Sequence, residues 1–149
     1  MGTTSVTKPR VFVDADVLFA GSASPTEHGG SLVVLRMAEI TLIDAYTSKQ
    51  AISECERTLK TKMPDALHTF QFLLSRCLSV VKNPPAREVK AYKGKAHPED
   101  LPLLVAAIQA RCDWLVTFNS KHYLPGVDRV TVLSPGDLLR RVRSLLAGL

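Results

Sequence analysis

Long apolar runs are missing from this sequence; none approaches the about 18 residues that a membrane-crossing helix needs. No membrane association is therefore expected. Cysteine is scarce too. The three present, Cys55, Cys77 and Cys112, lie in apolar or helical contexts without metal-site spacing, which predicts buried, reduced thiols. The opening MGTTSVTKPR lacks the apolar core of a secretory signal, and Val6 stands where a myristoylation signal wants serine or threonine. Residues 1–9 read as a flexible polar tail, and the protein is expected in the cytoplasm. Internal repeats and evident linkers are also lacking, so residues 10–149 are expected to form a single domain.

What is present describes an ordinary globular chain. It has 149 residues, of which 46% are hydrophobic and 22% charged, enough for one domain with a sizeable core. A net charge of +5 and a pI near 9.3 fit a polyanionic partner such as nucleic acid, although many basic proteins bind none.

Strand and helix signals alternate along the chain. Val11–Val13 predicts a first strand, followed by a small-residue loop, GSASPTEHGG, and a helix from about Ser31 to Glu39. TLIDAY, Thr41–Tyr46, reads as a second strand. Ser48 is placed to cap a helix reaching about Met63, and Pro64 opens another toward Cys77. LSVV gives a third short strand before an Asn83-Pro84-Pro85 break and a lysine-rich segment. HPEDLPLLVAAIQARC predicts a buried helix with Pro98 near its first turn. WLVTF and RVTVL supply the fourth and fifth strands, and Ser134 with Pro135 opens a last helix. This order implies an α/β fold with three layers, a mostly parallel central sheet of four to five strands flanked by helices.

Sites in such sheets form beyond the carboxyl ends of the strands. The stretch RVFVDADVLFAG delivers Asp14 and Asp16 there, directly after the first strand and with no basic residue close behind them. A buried carboxylate is costly unless paired, protonated or bound to a cation. Asp100 and Asn119 belong to the segments flanking the fourth strand, so the topology can carry them to the same rim. Singly, Asp14, Glu56, Glu99, Asp100 and Asp113 read as turn, cap or surface acids; together, acids from separate segments suit a hard cation.

These segments resemble a known family. VFVDADVLFAG, the ISECERTL helix, HPEDLPLLVAAIQARCDWLVTFN and the closing VTVLSPGDLL are similar, in order and spacing, to the PIN domain, from about Arg10 to Leu139. The resemblance implies Asp14, Glu54 and Asp100 as the acids of a Mg²⁺- or Mn²⁺-dependent nuclease, mostly acting on RNA. It also implies an antitoxin protein as partner where a member is a bacterial toxin; homodimers are common in the family. Where the family usually carries a fourth acid, this chain has Asn119, with His122 slightly beyond. That removes a negative charge, weakens affinity for a second metal, and tilts any remaining binding toward Mn²⁺. On a helical wheel Glu56 lies nearer the apolar face of Ile52, Leu59 and Met63 than Glu54 does, so Glu56 stands as an understudy to Glu54, which the motif favours because Leu59 falls five residues later.

The resemblance implies hydrolysis of a phosphodiester bond, with Asp14 as central ligand and Asp100 completing the shell. Glu54 ligates or acts as base, and Thr117 and Asn119 orient the carboxylates. Asp16 either adds an outer contact or pairs with a loop N–H. Lys93, Lys95 and Lys121, with Lys90, Lys60 and Lys62, are placed to follow a phosphate backbone, or are simply solvated. Tyr92 and Tyr123 read as packing residues more readily than as base-stacking ones. Two rival readings stand beside the nuclease. One is a PIN-like fold that binds RNA or protein without cutting. The other is a haloacid-dehalogenase-like phosphatase with Asp14 as nucleophile and Asp16 as acid–base, although Val17-Leu18 replaces the usual Gly-Thr and the later paired acids are missing.

Overall fold

β-Branched and aromatic side chains suit a pleated surface covered on both sides, and RVFV begins the sheet on that basis. The computed structural model describes residues 8–23, 34–38 and 42–148, and residues 8–148 outside two gaps carry everything below. Five strands, β1 (Arg10–Val13), β2 (Asp44–Ser48), β3 (Ser79–Val81), β4 (Trp114–Val116) and β5 (Thr131–Leu133), form one sheet in the order β3-β2-β1-β4-β5. Every neighbouring pair is parallel, with Val11 opposite Ala45 on one side and Phe12 opposite Leu115 on the other. The α/β, three-layer expectation holds.

Alternation along β1 shows why there are three layers. Val11 and Val13 face a core shared with Val17, Leu18, Cys55, Leu59, Phe70 and Leu138, drawn from four helices. Phe12 faces the other way, onto Leu103, Leu104 and Ala107 of the helix Leu101–Gln109. That helix is buried almost all round, as its unbroken apolar composition requires. Truncating Leu103 or Leu104 to alanine removes core volume and costs about 2–5 kcal/mol.

Caps appear where the sequence places them. Ser48 accepts from the Ala51 amide at 3.3 Å and starts the helix Lys49–Lys62, and Ser134 accepts from the Asp137 amide at 3.1 Å to start Pro135–Ala147. Other boundaries move. A helix, Ala15–Ala23, begins immediately after β1 and takes in Gly21–Ala23, which the sequence assigns to a loop. It buries Val17, Leu18, Gly21 and Ser22 and shows little amphipathic contrast, which hides it from periodicity. The rest of that predicted loop, 24–30, lies outside the described residues, as do 1–7 of the predicted tail. Of the helix expected at Ser31–Glu39, residues 34–38 are helical.

The second strand is Asp44–Ser48, three residues later than Thr41–Tyr46, because its end is completed by polar residues: Thr47 is fully buried and donates to the Val13 carbonyl at 3.0 Å. The buried helix starts at Leu101, with Asp100 as its capping residue and Pro102 in its first turn; Pro98 lies in the preceding turn. Within the lysine-rich segment a short helix forms at Ala86–Lys90. Among the described residues no helix is long and apolar enough to cross a membrane.

Candidate active site

β1 is the central strand, and the chain leaves its carboxyl end at Asp14. The Asp14 backbone is fixed twice: its amide donates to the Val116 carbonyl at 3.1 Å, and its own carbonyl accepts from Val17 and Leu18. Its side chain is 6% exposed and held by three donors. Oδ1 accepts from the Ala15 amide at 2.7 Å, and Oδ2 accepts from Thr117 Oγ1 at 2.9 Å and from the Tyr123 hydroxyl at 2.7 Å. A carboxylate has about four acceptor positions, so three fixed donors leave about one free.

Around Asp14 lies an open cavity of about 330 Å³, lined by Asp16, Glu54, Glu99, Asp100, Asn119 and His122 among others. The structure thus brings together Asp14, Glu54 and Asp100, and with them Asp16, Asn119 and His122. Thr117, fully buried, sits just behind as the donor to Asp14. Glu54 lies on the flank of the helix Lys49–Lys62 whose inner line is Ala51, Cys55 and Leu59, and Glu56 is not among the lining residues. Gln50, one turn earlier, donates to Glu54 Oε1 at 3.1 Å and to the Glu99 carbonyl at 3.3 Å.

Asp16 is engaged by the far segment. Its Oδ2 accepts from the Phe118 amide at 3.1 Å, Thr117 Oγ1 at 3.2 Å and Asn119 Nδ2 at 3.2 Å. This is the loop N–H pairing, and it draws the Asn119 amide toward Asp16. His122 Nδ1 lies 2.9 Å from Asp100 Oδ2, with its ring stacked on His97 at 5.3 Å. Facing a carboxylate, which only accepts, Nδ1 is the donor of this contact.

The electrostatics follow from burial without basic partners. Burial raises the Asp14 carboxyl above its ordinary value; its three donors oppose this and the Asp100 charge adds to it. Burial and the neighbouring Asp14 charge push Asp16 up to about 6. Glu54 rises through burial as well, with Asp14 and Asp100 contributing. Tyr123, buried beside Asp14, is driven far upward and stays a protonated donor.

The donor set therefore fits a hard divalent cation. The carboxyls of Asp14, Asp16 and Glu54 are all raised by burial and by neighbouring acids, and among the described residues none of the three forms an ion pair with lysine or arginine. Asp16 Oδ1 is buried and has no hydrogen-bond partner among the described residues. No three His, Cys, Asp or Glu side chains among the described residues already form a tight metal-binding group.

Other sequence-predicted residues lie elsewhere. Lys93, Lys95 and Lys121 are exposed and do not line the cavity, whereas Lys62 does. Tyr123 is 1% exposed and cannot stack on a base; sequence reasoning gave it a packing role and missed its bond to Asp14. Gln50 was also missed, although its i,i+4 spacing to Glu54 was a usable signal. Arg140 pairs with Asp137 at 2.8 Å on the last helix.

Residues 10–121 match a family model described as PIN domain. In fold the chain is similar to VapBC2 from Rickettsia felis, seen in a crystal structure bound to a DNA fragment from its promoter. The TM-score is 0.62 at 14% identity, over 84% of this chain and 98% of that one. No curated protein matches the sequence.

Proposed function

The chain belongs to the PIN domain family, and on that premise we propose that it is a Mg²⁺- or Mn²⁺-dependent endoribonuclease. The observation that carries this reading is the Asp14 carboxylate, buried, locked by three donors, close to other acids and without a lysine or arginine ion pair among the described residues. When bound, the cation supplies Lewis-acid polarisation of a phosphoryl oxygen and of an attacking water.

This chain's residues do the positioning. Asp14 and Asp100 would hold the ion, and Asp14 is kept in place because Ala15, Thr117 and Tyr123 fix both of its oxygens. Glu54, its acidity weakened by burial, accepts the proton of the attacking water, and Gln50 orients it. Asp16 anchors the Thr117–Asn119 segment to the site. His122 holds Asp100 in place through Nδ1. In-line attack by water leaves a 5′-phosphate and a 3′-hydroxyl. Lys93, Lys95 and Lys121 contact the RNA backbone beyond the cavity.

The reading extends to context. The likeness to VapBC2 supports a toxin with a cognate antitoxin protein. The same proposal takes residues 10–149 as a single domain acting in the cytoplasm, alone or as a homodimer. A second reading, a PIN fold that binds RNA without cutting, is favoured by one feature: Asn119 and His122 are both tied to neighbouring acids. Incubating the purified protein with a mixed RNA pool and Mn²⁺, beside Asp14→Asn, tests the proposal. New 5′-phosphate ends that vanish in the variant support it. RNA binding without cleavage at any Mn²⁺ concentration supports the second reading.

A further inference from the structure

A second cavity, of about 450 Å³, lies away from the acids, lined by Glu88, Tyr92, Gln109, Arg111 and Arg129 among others. Three features set it apart. Glu88 Oε2 is buried and has no hydrogen-bond partner among the described residues. Neither the Arg111 nor the Arg129 guanidinium makes a hydrogen bond or ion pair among the described residues, although both line the same cavity as that carboxylate. Arg111 stands at φ 57, the left-handed region that glycine occupies without strain, just past the helix Leu101–Gln109. A strained, uncompensated arginine beside an orphaned acceptor is the pattern of a site made for a ligand.

The ligand must carry an anion for the two guanidiniums, an N–H donor for Glu88, and a flat face for Tyr92. A nucleotide has all three: its phosphate suits arginine, and an exocyclic amino group suits a carboxylate. Placement agrees. Asp100, in the acidic cavity, precedes the helix Leu101–Gln109 and Arg111, in the second, follows it, so one helix of about 14 Å at 1.5 Å per residue connects a residue of each. The segment between them runs from Tyr92 to His97, whose amide bonds the His122 carbonyl at 2.6 Å, and it carries the exposed Lys93 and Lys95.

We infer that this cavity is a nucleotide-binding exosite that grips single-stranded RNA a few residues from the scissile bond. The inference rests on the RNA reading above. Arg111 and Arg129 hold a phosphate, Tyr92 packs against the base, and Glu88 selects bases that bear an amino group. Lys93 and Lys95 bridge the strand to the acidic cavity.

The test uses the full chain in EDTA and fluorescence anisotropy with labelled ten-nucleotide RNAs of A, C or U. The Arg111→Gly/Arg129→Ala pair is expected to bind about tenfold or more weakly, with the salt slope reduced by about 1. Arg140→Ala/Arg143→Ala removes the same charge on the last helix and is expected to change affinity less than about threefold, the ordinary effect of distant charge. Arg111→Gly alone relieves the backbone and should melt no lower than wild type, so a folding defect cannot mimic the result. Glu88→Gln should narrow the preference for A and C over U, whereas mere loss of a negative charge would raise all three affinities equally. Equal losses in the two arginine pairs, or a preference for A and C over U that is as wide in Glu88→Gln as in wild type, overturns the exosite. No RNA binding by the wild type at any salt concentration overturns the RNA reading itself, and the exosite with it.

Discussion

The Tyr123 hydroxyl donates to Asp14 Oδ2 at 2.7 Å across 109 residues of chain, and both groups are buried. A phenol whose own ionisation is pushed far upward makes a permanent donor. It stabilises the charged carboxylate without adding charge, and so leaves the cavity's negative field for a cation.

Tyr123→Phe removes that donor and little else. A hydrogen bond to a charged group is worth about 1.5–3 kcal/mol, so urea unfolding should show a loss of that order at pH 7. The Asp14 carboxyl should rise further, and Mn²⁺ should raise the melting temperature less than it does in wild type. An unchanged Mn²⁺-induced shift would mean that the phenol does not serve the metal site.

Stability in EDTA should fall as the pH rises from about 4 to about 6. The native Asp16 keeps its proton up to about 6, while a solvated aspartate releases it near 3.8, so the unfolded chain binds fewer protons over that window. Asp14 and Glu54 are shifted in the same direction and add to the trend. Asp16→Asn should flatten the slope, and saturating Mn²⁺ should flatten it too, because bound metal favours the ionised native acids. Urea denaturation at several pH values reads this directly. A rise in stability over that range without metal would contradict the shifts.

Glu54→Gln and Glu56→Gln separate two neighbours on one helix. With a base lost, Glu54→Gln should cut the cleavage rate by about 10²–10⁴-fold, whereas Glu56→Gln should leave it within about threefold of wild type. Comparable losses in both would return the assignment to the ambiguity of the helical wheel.

The thiols should be silent. Burial pushes Cys55 and Cys112 up to about 12, and Cys77 is buried as well. Ellman's reagent at pH 8 should label none of the three until denaturant is added, and rapid labelling of the native protein would rule out this packing.

Much of this was legible in the sequence because it is local. Capping serines, the proline at Pro135 and the short β-branched runs depend on neighbours a few residues away, and Ser48 and Ser134 cap as expected. The convergence of Asp14, Asp100 and Asn119 followed from alternating elements and the rule that sites sit at strand ends, whereas Glu54 came from the resemblance to the PIN domain. Elsewhere the signal was not local. The helix Ala15–Ala23 has no polar face to betray it. β2 ends on Thr47 and Ser48, polar residues whose burial is repaid by bonds to β1 and to the next helix. Tyr123, in the run SKHYLPG, owes its role to a contact across the sheet that no window of sequence contains. Glu54 and Glu56 were separable only once the inner line Ala51, Cys55 and Leu59 was seen.

The order β3-β2-β1-β4-β5 places Asp14 on the middle strand, with Glu54 arriving after β2 and Asp100 before β4. The distances between these acids are therefore a gauge of how the two wings of the sheet sit against each other. Shear of one wing past β1 would therefore move Glu54 or Asp100 relative to Asp14. The nuclease proposed above would then depend on the alignment of its sheet as much as on the acids themselves.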